Sequence, residues 1–140
     1  MKIYKSTHTT KISIPLFMSR VKAGFPSPAE EYIEAKLDLN SYLIQHPSST
    51  YMVRIEGDSM IGAGIYSGDL AVVDRSLQPK NQDIVIAVVD QEITIKRLVK
   101  TKKGITLCAE NPNFEPISFT NEQELTIWGV VVHTVRSMKR

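Results

Sequence analysis

Ser59 stands in Gly57-Asp58-Ser59-Met60, directly after a β-rich run that ends at Ile55, and the glycine ahead of it lets the backbone turn sharply enough to present a hydroxyl. Serine beside glycine and aspartate also describes an ordinary turn or helix cap. A serine hydroxyl is barely ionised near neutral pH, so a nucleophilic role requires a base. Histidine is the usual base, yet His46 sits beside a proline and His133 in a Val-rich terminal run, and neither has a recognisable acidic partner in the sequence. A lysine can substitute if burial lowers its pKa and leaves a neutral amine to accept the proton. Lys96 lies in Glu92-Ile93-Thr94-Ile95-Lys96-Arg97-Leu98-Val99. Alternation puts Ile93, Ile95 and Val99 on one face and Thr94, Lys96 and Leu98 on the other, so periodicity alone sends Lys96 to solvent. At this level a serine-lysine pair and two unrelated surface residues both remain open.

The elements that must position these side chains change character along the chain. Residues 1–23 carry Lys2, Lys5, Lys11, Arg20 and Lys22 with few large apolar residues and no sustained period, which reads as a loosely held, flexible arm. Gly24-Phe25-Pro26-Ser27-Pro28 interrupts regular structure, and each proline pushes the preceding residue, Phe25 or Ser27, towards extended geometry. Ser27-Pro28-Ala29-Glu30 has the form of a capping box with proline at the first helical position and predicts a short helix running towards Leu37. Asp38 is placed to cap a second short helix through Ile44, before His46-Pro47-Ser48-Ser49 ends helical structure. From Thr50 onward, β-rich runs cover Tyr51 to Ile55, Leu70 to Val73, Ile84 to Val89, Glu92 to Val99, Ile105 to Cys108 and Leu125 to Val135. Val89 to Glu92 and Lys100 to Gly104 read as hairpin connections. The expected fold is therefore mainly β, with strongly bent antiparallel sheets and no βαβ units.

Composition bounds the function. A chain of 140 residues, 42% of them hydrophobic, supports one domain plus an arm. The net charge of +2, from 17 basic and 15 acidic side chains, gives no electrostatic reason for a DNA-binding face, so a link to DNA would run through protein partners. Cys108 is the single cysteine and cannot form an internal disulfide, and His8, His46 and His133 lack metal-ligand spacing. No cofactor or metal is expected, and the cell interior, the cytoplasm, is the natural compartment. No apolar run approaches the roughly 20 residues of a membrane helix, and Ile12 to Phe17 is too short for a signal-peptide core.

Three blocks in order carry a resemblance: Gly57-Asp58-Ser59-Met60, then Ser67-Gly68-Asp69-Leu70-Ala71-Val72-Val73-Asp74, then Ile95-Lys96-Arg97-Leu98. Together they resemble the LexA-like family of self-cleaving serine-lysine peptidases. Ile14-Pro15-Leu16-Phe17 and Ala23-Gly24-Phe25-Pro26-Ser27-Pro28-Ala29 are similar to its UmuD/MucA branch, and the likeness continues through 39–51, 111–117 and 128–131. By that resemblance Ser59 is the nucleophile, Lys96 the neutral general base, and Ala23-Gly24 the bond cut. Residues 1–23 form the removable arm, and 24–140 the peptidase domain, with a linker and short helices over 24–49. The backbone amides of Ser59 and Met60 are the candidate oxyanion hole by analogy.

Gly57, Asp69 and Asp74 are read as structural residues of turns and strand ends, and Gly62 and Gly64 as a source of loop flexibility. The resemblance further implies a homodimer, a RecA filament on single-stranded DNA that stimulates cleavage in the SOS response, and a UmuC-type polymerase that takes up the shortened product for translesion synthesis. The hydrophobic segment from Ile127 to Val135 is a candidate dimer surface. A LexA-like repressor would need several helices ahead of the cut, and a signal peptidase a membrane anchor. The alternative within the family is a catalytically silent dimerisation module that binds a DNA polymerase.

Overall fold

Apolar residues on consecutive positions, as in Ile84-Val85-Ile86-Ala87-Val88-Val89, require a strand covered on both faces, and this segment sits deep inside an eight-stranded antiparallel sheet. The computed structural model describes residues 3–5, 11–17, 23–24, 33–119 and 125–139. They form two units, one of Met1–Ser6 with His46–Arg140 and the other of Thr7–Gln45.

The larger unit contains β1 (Ile3–Lys5), β4 (Thr50–Arg54), β5 (Leu70–Asp74), β6 (Ile84–Val89), β7 (Glu92–Thr101), β8 (Gly104–Cys108), β9 (Ile117–Phe119) and β10 (Leu125–Val135), in the sheet order β1-β4-β5-β10-β6-β7-β8-β9. The six β-rich runs expected from sequence are all strands, within a residue or two at each end. The β6–β7 connection is a two-residue turn in which Asp90 and Gln91 both have positive φ, 49° and 69°, the twist that suits a tight hairpin.

β10 shifts register between Ile127 and Gly129 and again between Val131 and His133. Its first half pairs with β6 and its second half with β5, so the sheet bends around it. Gly129 is required at the first shift, because a Cβ there would stand 2.6 Å from Val73 Cγ1. The bend creates two cores. Val53, Ile55, Met60, Ile65, Ala71, Val73, Ile86 and Ile95 fill one. Val85, Ala87, Leu98, Leu107, Leu125 and Val130 fill the other. Successive residues of β6, Val85, Ile86 and Ala87, alternate between them, which is why that strand reads as an unbroken apolar run.

The smaller unit contains β2 (Ser13–Phe17) paired antiparallel with β3 (Ile33–Asp38), followed by the one-turn helix α1 (Leu39–Leu43). One expectation is corrected here. Ile33 to Leu37 is a strand rather than the end of a helix begun at Ser27, because pairing with Ser13–Phe17 overrides a weak local propensity. The capping-box residues Ser27 to Glu30, and the geometry of Phe25 and Ser27, lie outside the described residues. The stretch 1–23, read as a loosely held arm, supplies β1 and β2. The helix expected behind Asp38 is present, and the Asp38 carboxylate accepts from Ser41 Oγ at 2.6 Å.

Candidate functional site

Ser59 follows β4 in a turn whose tight entry is set by Gly57 at φ 93°. Lys96 lies on β7, whose middle is covered on both sides, Ile95 facing one core and Leu98 the other. Lys96 is consequently 8% exposed, against the alternation expected of a half-solvated strand. Its Nζ stands 3.2 Å from Ser59 Oγ, and it donates to Thr94 Oγ1 at 2.8 Å and to the Ile95 carbonyl at 3.0 Å. Burial lowers its pKa from the ordinary 10.5, since desolvation disfavours the ammonium.

The three contacts dictate what the amine can do in each protonation state. An ammonium has three N–H donors for three acceptors. A neutral amine has two, which Thr94 Oγ1 and the Ile95 carbonyl satisfy, leaving the nitrogen lone pair towards the Ser59 hydroxyl. That arrangement can take a proton from Ser59.

The turn carrying Ser59 is held from a distant part of the chain. The Glu110 N–H donates to the Ser59 carbonyl at 2.8 Å, and Asn111 Nδ2 donates to the Asp58 carbonyl at 2.9 Å. A peptide unit is planar, so fixing these two carbonyls also fixes the opposed N–H groups of Met60 and Ser59. The Gly62 N–H donates to the Glu110 carbonyl at 2.8 Å, and a Cβ at Gly62 would come 2.6 Å from that oxygen. Gly62 thus serves close approach of two backbones and not the loop flexibility expected, while Gly64 ends the turn at φ 78°. Arg97, next to Lys96, donates from Nε to Glu110 Oε1 at 2.6 Å, tying the lysine strand to the same brace. Met60 is fully buried in the first core, which anchors the turn from below.

Asp69 is buried and accepts from Arg136 Nε at 2.6 Å, from an Arg136 terminal nitrogen at 2.7 Å and from the Tyr66 N–H at 2.9 Å. The Arg136 hydrogen bonds hold its carboxyl below the usual 3.8. The expectation that His46 lacks an acidic partner is corrected. Pairing of Thr50 with Asp74 brings His46 to an acid 28 residues on, and its Nδ1 lies 2.5 Å from Asp74 Oδ2. Asp74 also accepts from the Ser76 N–H and hydroxyl; burial works to raise its pKa, but these partners keep it lowered. The Ser59 hydroxyl has Lys96, not His46, beside it. Ala23 and Gly24 are exposed in the connection between β2 and β3, with Gly24 at φ 104°.

Thr94, Arg97, Glu110 and Asn111 were not singled out by sequence as parts of a site. Thr94 had a usable signal, being the neighbour of Lys96 on the same strand face. Glu110 and Asn111 had none, since only the tertiary fold brings them within reach of Asp58 and Ser59.

Residues 15–132 match the family described as Peptidase S24-like. SamA of Salmonella typhimurium is 48% identical over 126 residues, 88% of this chain and 87% of SamA. MucA of Escherichia coli is 39% identical over 136 residues, 95% of this chain and 92% of MucA. LexA repressor 1 of Geobacter sulfurreducens is 39% identical over 131 residues, 93% of this chain but 64% of the repressor. With that match and these relatives over most of its length, the chain belongs to the Peptidase S24-like family, in company with MucA-type and LexA-type proteins.

Proposed function

We propose that this protein is a serine endopeptidase acting on itself, in which Lys96 removes the Ser59 proton and Ser59 Oγ attacks the Ala23 carbonyl carbon. The single observation that supports this most is the buried amine 3.2 Å from the hydroxyl, with its other two hydrogen-bond directions satisfied. The attack gives a tetrahedral intermediate whose oxyanion the Ser59 and Met60 N–H groups receive. Its collapse breaks the Ala23-Gly24 bond, the Gly24 amine leaves with the proton from Lys96, and water hydrolyses the acyl-enzyme at Ala23. One event per chain separates residues 1–23 from 24–140.

The likeness to MucA and SamA supports a role in SOS mutagenesis, with cleavage stimulated by a RecA filament on single-stranded DNA. The shortened chain then acts as a homodimer with a UmuC-type polymerase in the cytoplasm. Among the described residues, no helix is long and apolar enough to cross a membrane. Among the described residues the second half of β10 pairs with β5, and Val132 and Val135 are exposed, which favours this segment as the dimer surface.

The test is alkaline incubation of the purified protein followed by mass spectrometry, with and without an activated RecA filament. Products of residues 1–23 and 24–140, absent from Ser59→Ala, are expected. A stable chain under both conditions, or equal cleavage of Ser59→Ala, would remove the proposal.

A further inference from the structure

We infer that the outer edge of β4 is a strand-accepting surface, occupied in the intact chain by the protein's own Ile3–Lys5 and opened to an extended segment of a partner protein when residues 1–23 are released. The opening step rests on the cleavage proposed above; the occupation does not. β1 pairs antiparallel with β4 in the register Ile3 with Val53, Tyr4 with Met52 and Lys5 with Tyr51. It is the terminal strand of the eight-stranded sheet, so among the described residues those three alone pair with the β4 edge in the sheet order.

The β4 edge has few of the features that keep sheet edges from pairing. Thr50–Arg54 contains no proline, its register with β5 runs without a shift, and its one charged side chain, Arg54, donates to the Gly68 carbonyl at 2.8 Å. Alternation identifies the groups involved. The Ile55 N–H and the Ser49 carbonyl bond towards the β5 side, to the Asp69 carbonyl and the Arg75 N–H. Counting by twos, Tyr51 and Val53 bond the same way, and the N–H and C=O of Met52 face β1, opposite Tyr4.

A three-residue strand holds this edge because it is tethered. A tethered segment acts at an effective concentration of about millimolar, whereas a free peptide is present at roughly the micromolar concentration of the protein. Cutting the tether therefore releases β1 and leaves the Met52 amide and carbonyl open to strand addition. The occupant that fits is an extended peptide of the character of Ile-Tyr-Lys, β-branched, aromatic and basic in turn.

The test compares hydrogen exchange at β4 in full-length Ser59→Ala and in Ser59→Ala with Tyr4→Pro, since proline removes the N–H that faces Met52. Met52 should be protected in the first and lose at least about tenfold of that protection in the second, while Tyr51 and Val53 keep theirs in both. A synthetic peptide of residues 1–8, in excess over the proline variant, should restore protection at Met52. Equal Met52 exchange in the two proteins, or no effect of the peptide, would overturn the inference. The self-cleaved parent should match the proline variant at Met52. If the parent fails to cleave, the peptidase reading falls while Met52 protection still decides whether Ile3–Lys5 occupies the edge.

Discussion

Thr94→Val tests the view that the lysine is oriented, and not merely buried. Valine keeps the β-branched shape and the strand propensity but removes the oxygen that accepts from Lys96 Nζ at 2.8 Å. In the neutral amine, one N–H then loses its acceptor in a largely buried site, at a cost of about 1–3 kcal/mol. The amine can relieve this only by turning an N–H towards Ser59 Oγ, which directs the lone pair away from the hydroxyl. With each 1.4 kcal/mol worth tenfold, self-cleavage at a pH where the lysine is neutral should fall by about 5- to 150-fold.

The pH dependence separates this from simple damage to the fold. Thr94 Oγ1 stabilises the ammonium more than the amine, so its loss adds to the lowering that burial already causes. The midpoint of the rate against pH should move to lower pH, and the deficit should be smaller on the acid side. The assay follows release of residues 1–23 by gel and mass spectrometry across the pH range. Cleavage at the parental rate with an unmoved midpoint would refute the reasoning, and a uniform loss without a moved midpoint would refute the orienting role.

Asn111→Ala removes the donor to the Asp58 carbonyl, so cleavage should slow by about 10-fold or more while the midpoint of its pH profile stays put, because Lys96 is untouched. A moved midpoint would count against a role in holding the oxyanion amides. Lys96→Met should raise stability at neutral pH. The parental lysine has a native pKa below its unfolded 10.5, so between the two values the unfolded chain binds more protons and parental stability rises with pH. The advantage of methionine, about 1.4 kcal/mol for each tenfold by which burial weakens proton binding, should therefore shrink towards pH 10.5 in urea titrations. An advantage that did not vary with pH would contradict this. Arg136→Met leaves Asp69 without its bidentate partner. The stability held by that carboxylate above 3.8, and lost as pH falls through its lowered native pKa, should disappear at a higher pH, read as an earlier acid transition by circular dichroism.

How legible the protein is in its sequence differs by element for physical reasons. β6 and β10 declare themselves because long β-branched runs leave little else to form, and the Asp90-Gln91 hairpin follows from the spacing of two such runs. Lys96 does not declare itself. Alternation predicts a solvated lysine when one face of a strand is wet, but the bend at β10 covers both faces of β7. Only the resemblance pointed to its burial. Ile33 to Leu37 carries helix-compatible residues and a persuasive capping signal upstream, and it became a strand because Ser13–Phe17 lies beside it. Ile3–Lys5 is too short to show any period. The His46 contact with Asp74, and the hold of Glu110 and Asn111 on the Ser59 turn, depend on pairings across the sheet and the loops that no local window contains.

The central claim is that a neutral Lys96 activates Ser59, and the rate at which a new amino terminus at Gly24 appears, followed from about pH 6 to about pH 11, tests it most directly. The parent should accelerate through a midpoint below 10.5 and then level off, with Lys96→Ala remaining at background throughout. A parental midpoint at or above 10.5, or a Lys96→Ala protein that generates Gly24 at the parental rate, would contradict it.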